Sequence, residues 1–364
     1  MRAILDAHLV NGPFGDPGVY VDFRFERRAL LFDLGDNAAL PPRKLLRLTH
    51  VFVSHTHMDH FIGFDRLVRI CVGRHAGIRL FGPPGFVDQV ERRLAAYTWD
   101  RVDRYDVELV LEVTEVDGAG GTKSARFRTR TGFAREPLPA GRAPDGVIVD
   151  EASFRVRCAM LDHRTPCLGF ALEEKTHVNV WKNRLVDMGL KVGPWVGELK
   201  AAALAGALDE QLVRAWWREG DGVHERVLAF GALRPALESV RGQRLCYVTD
   251  VTFHEENVAR IVQLARAADL LFIESVFLHA DIAHAAQKQH LTARQAGTIA
   301  RLAGARNVVP FHFSPRYSEQ EAALRAELET AFRGGAAHNP QRAHGVAVDP
   351  AGLMEVKHPP GPGQ

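Results

Sequence analysis

The run Leu48-Thr49-His50-Val51-Phe52-Val53 reads as a strand. It ends in Ser54-His55-Thr56-His57-Met58-Asp59-His60, which puts three imidazoles and a carboxylate within six residues. Imidazole nitrogen and carboxylate oxygen are the ligands that a hydrolytic zinc centre needs. His55 and His57, two apart in an extended segment, project to the same side and can hold one ion. Asp59 and His60 follow the turn, at the start of an apolar-periodic helix Phe61-Ile62-Gly63-Phe64-Asp65-Arg66-Leu67-Val68, and suit a second ion. No other stretch limits the fold so sharply, because the remaining ligands must be brought to this strand end from elsewhere in the chain.

The chain is long enough for that. Its 364 residues, 46% of them hydrophobic, can build one large core or two smaller ones. A formal charge of +2 argues against wholesale nucleic-acid binding but leaves room for a local basic patch. Cys71, Cys158, Cys167 and Cys246 are scattered without Cys-x-x-Cys spacing, which predicts buried free thiols and a reducing compartment. The N-terminus has no apolar core of signal-peptide length, and no run approaches a membrane span. The expected address is therefore cytoplasmic, with no membrane contact.

Short strands fill the first half. Residues 20–25 and 30–33 read as a hairpin, and residues 78–85 as a strand ending in a turn, before a helix over 86–97. Residues 107–113, 125–131 and 154–160 are further strands, with a Gly/Pro/Arg-rich loop expected near 137–146. Residues 174–240 break this rhythm and read as an inserted helical arm, through Leu199-Lys200-Ala201-Ala202-Ala203-Leu204 and Leu212-Val213-Arg214-Ala215-Trp216-Trp217. Buried strands at 245–248, 270–273 and 308–311 then alternate with helices at 255–267 and 292–303. The Pro-rich tail from Gly334 is expected to be partly disordered at its end. Strands and helices mixed in this way predict a layered α/β fold.

Further candidate ligands fall at strand ends: Asp162-His163-Arg164, Thr249-Asp250-Val251, His290-Leu291-Thr292 and His312-Phe313-Ser314. A lone histidine in such a place is ordinarily a surface residue. Together with the first cluster these four make up the donors of a dinuclear site, in which about seven ligands include one bridging carboxylate.

These motifs resemble the metallo-β-lactamase-fold hydrolases, and within them ribonuclease Z. The resemblance covers about residues 30–317. It rests on His55-x-His57-x-Asp59-His60, Asp162-His163-Arg164-x-Pro166-x-x-Gly169-Phe170, Asp250, Glu274, His290-x-Thr292-Ala293 and His312-Phe313-Ser314-Pro315-Arg316-Tyr317. It implies an αββα sandwich over 1–333 with an arm inserted at 174–240 and a C-terminal tail at 334–364. It also implies two zinc ions per subunit, manganese being the alternative metal. His55, His57 and His163 would hold one ion and Asp59, His60 and His312 the other, with Asp250 bridging. Asp33 falls where the family keeps a buried acid that steadies the ligand loop. The arm, with Leu190-Lys191-Val192-Gly193-Pro194 before Leu199-Lys200, is similar to that branch's flexible arm. The resemblance further implies a homodimer.

There are departures. Asn11-Gly12-Pro13-Phe14-Gly15 replaces the family's glycine-rich opening. Thr249-Asp250-Val251 replaces Gly-Asp-Thr, and Thr252-Phe253-His254 stands where an arginine is usual. Ile273-Glu274-Ser275-Val276 keeps only the acid of the usual His-Glu-Ala-Thr stretch.

The expected chemistry is hydrolysis of a phosphodiester by metal-activated water. Asp59 would bind metal and hold the nucleophile's proton. His290, oriented by Glu274, would protonate the leaving alkoxide, a pairing the resemblance implies. Arg316 would contact a phosphate, or else form a salt bridge at a loop. The arm mixes Trp181, Trp195, Trp216 and Trp217 with Lys182, Arg184, Lys191, Lys200, Arg214 and Arg218. That mixture would clamp RNA, or serve helix packing or a dimer contact. The leading expectation is an endonuclease that cuts precursor tRNA at its 3′ end. The rivals are a phosphodiesterase for small substrates such as cyclic nucleotides, a lactonase or arylesterase, and a non-catalytic RNA-binding module.

Overall fold

In the computed structural model, which describes residues 5–334 except 25 and 221, eight strands form one sheet in sequence order. They are β1 (Leu5–Leu9), β2 (Val19–Phe23), β3 (Ala29–Phe32), β4 (Leu48–Phe52), β5 (Gly77–Gly82), β6 (Val110–Val116), β7 (Gly121–Arg128) and β8 (Arg135–Arg142). Strands β3 to β6 pair in parallel, and the flanking pairs are antiparallel. Helices α1 (Pro42–Leu45), α2 (Met58–Phe61), α3 (Phe64–Cys71) and α4 (Phe86–Ala95) lie in the connections.

The chain then enters a second sheet through β9 (Val147–Asp150), β10 (Phe154–Asp162) and β11 (Pro166–Glu174). It leaves again for the inserted segment. There β12 (His177–Val180) pairs with β15 (Leu237–Val240), and between them lie α5 (Lys182–Asp187), α6 (Trp195–Leu204), the hairpin β13 (Leu212–Glu219) and β14 (Gly222–Ala229), and α7 (Phe230–Leu233). The return through β16 (Arg244–Val248), α8 (Glu255–Leu264), β17 (Leu270–Glu274), α9 (Ile282–Lys288), α10 (Ala293–Leu302), β18 (Val308–Phe311) and α11 (Glu321–Arg333) completes a six-stranded sheet of order β18-β17-β16-β11-β10-β9.

The burial pattern of β3 shows how the layers stack. All four residues are buried, which requires cover on both faces. Leu30 and Phe32 join Phe52, Phe154, Phe170, Tyr247 and Phe311 in the core between the two sheets. Leu31 joins Leu67, Val68, Val87 and Val90 under α3 and α4. On the far side Cys246, Leu271 and Ile273 pack against Ile261, Ile299 and Leu328 of α8, α10 and α11. The result is helices, sheet, sheet, helices, the expected αββα sandwich. Aromatic rings dominate the inter-sheet layer: Phe32 lies 5.8 Å from both Phe170 and Tyr247. Such pairs contribute about 0.5–1.5 kcal/mol each beyond the area they bury. Among the described residues no helix is long and apolar enough to cross a membrane.

Three stretches depart from the sequence reading. The loop expected near 137–146 is mostly β8, an edge strand in which Leu138 faces Ser124 and Pro137 faces Ala125. An edge tolerates proline because one row of N–H groups has no ladder partner to lose. The run 212–217 is strand rather than helix. Val213, Ala215 and Trp217 alternate inward, a period of two that the helical reading missed. The helix expected from residue 61 is instead two helices broken at Gly63, the first already under way at Met58. The expectation for the tail concerns residues 335–364, which lie outside the described residues.

Gly63 matters for the site. Leu34 N–H donates to the His60 carbonyl at 2.9 Å, and Gly63 N–H donates to the Leu34 carbonyl at 2.9 Å. The loop after β3 is thereby laced to the helix that carries Asp59 and His60. A Cβ at Gly63 would stand 2.2 Å from the Gly35 carbonyl oxygen and 2.6 Å from the Asn37 amide, so the two backbones approach this closely only without one. Gly63→Ala is expected to cost about 1–3 kcal/mol of stability. A thermal or urea melt checks this, and an unchanged midpoint would show that the loop yields freely.

Candidate metal centre

The parallel strands of both sheets end at the same edge of the sandwich, where loops beyond their C-terminal ends can converge. Asp33 follows β3, the His55 to His60 run follows β4, Asp250 follows β16, Glu274 ends β17 and His312 follows β18. His163 lies in the turn between β10 and β11. Asp33, Asp250 and His312 all have positive φ, at +55°, +43° and +59°. Non-glycine residues held there cost on the order of 1–3 kcal/mol each and persist where the surroundings over-determine them.

Asp33 is fully buried. One of its oxygens accepts from Ser54 N–H at 2.6 Å. The other accepts from Ser54 Oγ at 2.8 Å, His60 Nδ1 at 2.7 Å and Tyr247 Oη at 2.7 Å. With Nδ1 donating to Asp33, His60 turns Nε2 toward the centre. His163 is oriented in the same way: its Nδ1 donates to the Gln289 carbonyl at 2.8 Å. Buried Asn257 braces that turn, donating to the carbonyls of Asp162 at 2.9 Å and Thr252 at 2.7 Å.

Asp250 sits between the histidines. Its Oδ2 lies 3.4 Å from His55 Nε2, 3.3 Å from His60 Nε2 and 3.5 Å from His163 Nε2. Its Oδ1 is 2.9 Å from His312 Nδ1 and accepts from Thr249 Oγ1 at 3.0 Å. Asp59 Oδ2 is 3.4 Å from His60 Nε2 and 3.3 Å from His312 Nε2. Candidate ligand atoms of His55, His57, His163 and Asp250 all lie within 4.8 Å of one another, and those of Asp59, His60 and His312 do likewise. All seven expected ligands therefore lie close together, in clusters that share Asp250 or His312 with a third group holding Glu274 and His290.

The donor set fits a metal ion. Nε2 of His55 and Nε2 of His60 are buried without a hydrogen-bond partner among the described residues, although both face Asp250. Buried polar atoms seldom lack partners unless something else satisfies them. Burial, aided by the charge of His60, pushes the His55 imidazole down to about 2, so it is neutral at pH 7, the form that binds a metal ion. Burial would lower His60 and His312 too. For His60 the charges of Asp250 and Asp33 win and raise it well above its ordinary value; for His312, Asp250 outweighs burial and raises it to about 10. Burial likewise works against the charge on Asp59, but its hydrogen bonds with His312 and His60 hold it below the ordinary carboxylate range. The carboxylates thus gather positive charge onto two ligands. A divalent cation competes with those protons, so binding releases them.

Beside this cluster Glu274 Oε2 meets His290 Nδ1 at 2.7 Å, while its Oε1 accepts from Val251 N–H at 2.8 Å and Leu291 N–H at 3.2 Å. The His290 ring is 5.0 Å from His163 and 5.5 Å from His312. Burial works against a charged His290, but the Glu274 carboxylate outweighs it and raises the imidazole above its ordinary value. Atoms of Asp250, Glu274, His290 and His312 also lie within 4.8 Å of one another. Arg316 stands apart from the histidines in its contacts. Its guanidinium is 4.0 Å from Asp281 and 5.7 Å from the Phe277 ring centroid, and its side chain is 46% exposed. Sequence reasoning missed Ser54, Tyr247 and Asn257. A hydroxyl inside the apolar run Leu245-Cys246-Tyr247-Val248 was a usable signal, since a buried phenol needs a partner.

No protein-family model matches the chain. A curated relative from Deinococcus radiodurans, named ribonuclease Z, is 31% identical over 331 residues, covering 87% of this chain and 92% of its own length. Among solved structures, human tRNase Z, short form, aligns at 19% identity over 86% of this chain and 92% of its own, with a TM-score of 0.48. The metallo-β-lactamase-fold protein YhfI from Bacillus subtilis aligns at 16% identity over 90% of this chain and 92% of its own, with a TM-score of 0.49.

Asp33→Asn should weaken metal binding about 10- to 100-fold, the usual cost of losing a partner that orients a ligand. The amide cannot accept from Ser54, His60 and Tyr247 together without presenting a donor to one of them. Competition with a chromophoric chelator measures the effect, and circular dichroism checks the fold. Wild-type metal affinity in a folded variant would show that Asp33 does not orient His60.

Proposed function

The chain belongs to the ribonuclease Z family, and we propose that it is a zinc-dependent endonuclease that cuts precursor tRNA after the tRNA body and releases the 3′ trailer. His55, His57 and His163 would hold one ion, and Asp59, His60 and His312 the other, with Asp250 shared. Zinc held there would supply water activation near neutral pH and positive charge against the phosphoryl oxygens.

The remaining work falls to side chains. Asp59 turns Oδ2 to His60 and His312, which leaves Oδ1 to hold the nucleophile's proton in a hydrogen bond. His290 faces the leaving alkoxide as general acid. Glu274 fixes its Nδ1 at 2.7 Å and raises its proton affinity, so the imidazole carries its proton further toward neutral pH. That dyad, set beside the seven ligands, is the observation that carries the proposal. An alkoxide is a poor leaving group, whereas the phenoxide of an aryl ester has less need of a dedicated acid. Arg316 keeps an exposed guanidinium for a phosphate. In the arm Trp195 and Trp217 are buried in its own core, which leaves Trp181, 46% exposed, as the ring freest to stack on a base. A cytoplasmic homodimer completes the proposal. The four thiols outside any disulfide support the address, and the homodimer is what the resemblance to ribonuclease Z implies.

Zinc-reconstituted protein is expected to carry two metal equivalents per chain, and Asp250→Ala to lose activity while keeping most of its fold. Metal analysis that never exceeds one equivalent would overturn the shared-ligand reading.

The wild type is expected to cleave precursor tRNA at its 3′ side and, more slowly, bis(p-nitrophenyl) phosphate. His290→Ala should slow tRNA cleavage on the order of a hundredfold, the typical worth of a general acid. It should cost much less with the p-nitrophenyl ester, whose leaving group needs little protonation, and metal content should be unchanged. If metal is lost, His290 belongs among the ligands. If cyclic nucleotides are hydrolysed and precursor tRNA is not, the substrate assignment fails.

A further inference from the structure

A groove of about 520 Å³ opens directly beside the metal centre, between the His55 to His60 run and α4. Its size falls within the roughly 300–1,000 Å³ of small-ligand sites. His57, an expected ligand, forms part of its wall, so the groove adjoins the candidate metal centre. A second groove, of about 530 Å³ between α10 and α11, touches none of the expected ligands.

The lining of the first groove is specific in character. Met58, between His57 and Asp59, is 76% exposed, and Ile62 is 40% exposed. Two apolar side chains held in water at the mouth of a polar site call for a cover, since an exposed apolar patch is the informative kind of exposure. Gln89 lines the same groove, and its Oε1 is buried with no donor among the described residues. Arg93 is committed, bonded to both oxygens of Asp65 at 3.2 and 2.8 Å. Arg92 is exposed. Asp88, one helical turn before it, is taken by Arg135 at 2.7 Å. The groove lining thus offers an apolar ridge and a free guanidinium, and includes no carboxylate.

We infer that this groove holds the nucleotide flanking the scissile phosphodiester, with its base on Met58 and Ile62 and its outer phosphate on Arg92. The inference rests on the phosphodiesterase reading of the metal centre and adds a subsite to it. The base supplies the apolar face, and the backbone supplies the anion.

The test compares kcat/KM on precursor tRNA with that on bis(p-nitrophenyl) phosphate for zinc-loaded full-length protein. Met58→Ala is expected to lower the tRNA value about tenfold more than the ester value, as the loss of a buried apolar contact requires. Arg92→Ala should do the same and also flatten the dependence of log kcat/KM for tRNA on log salt by about 0.7, the share of one phosphate contact on a single strand. Arg92→Lys should restore that slope. Equal effects of the alanine variants on both substrates, or an unchanged salt slope in Arg92→Ala, would overturn the subsite while leaving the phosphodiesterase reading intact. Hydrolysis of neither substrate by the wild type would overturn both.

Discussion

One buried carboxylate ties the whole arrangement together. Asp33 has no access to water, and a charge so placed is tolerated only when surrounding donors replace its hydration. Ser54 and His60 supply donors from the first sheet, and Tyr247 reaches across from the second. The same set of bonds fixes how His60 faces, anchors the start of the ligand run and joins the two sheets at the edge where the site lies. Removing any one donor leaves the charge short of a partner. The set therefore holds as a unit, and the ligand geometry inherits its rigidity.

The stiffness has a cost that the sandwich offsets. Asp33, Asp250 and His312 sit in backbone conformations that L-residues avoid, each at the end of a parallel strand. These turns swing the side chains from their strands into the common space between the sheets. The aromatic layer of Phe32, Phe52, Phe170, Tyr247 and Phe311 lies directly beneath, and its burial is the main force available to hold strained loops in place. Packing and chemistry therefore share residues. Phe32 precedes Asp33, Tyr247 both stacks on Phe32 and bonds Asp33, and Phe311 precedes His312.

Much of this was legible in the chain. The seven expected ligands could be read because each lies at the end of a recognisable apolar run and carries a metal-binding side chain. The dyad of Glu274 and His290 was reached through resemblance rather than pattern, since nothing local connects residues sixteen apart. Ser54, Tyr247 and Asn257 escaped because they bind other protein groups, and such roles depend on tertiary contacts that no local spacing announces. The stretch 212–217 was misread because Leu, Val, Ala and Trp satisfy a helical window as well as a strand. Only the inward alternation of Val213, Ala215 and Trp217 separates the two. The edge strand β8 was hidden by its prolines, which discourage a strand reading everywhere except at an edge.

The inserted segment has a hydrophobic centre of its own, built from Leu185, Trp195, Leu199, Val213, Trp217 and Phe230, and chain enters and leaves it through the paired strands β12 and β15. Two strands zipped side by side make a stalk, and everything beyond the stalk is stabilised by its own residues. A part built this way is a separate cooperative unit. Its core residues belong to neither the inter-sheet layer nor the helix-covered layers, so those layers do not draw on it. In evolutionary terms, such a layout lets the length and surface of the inserted part vary while the layers beneath it keep their packing.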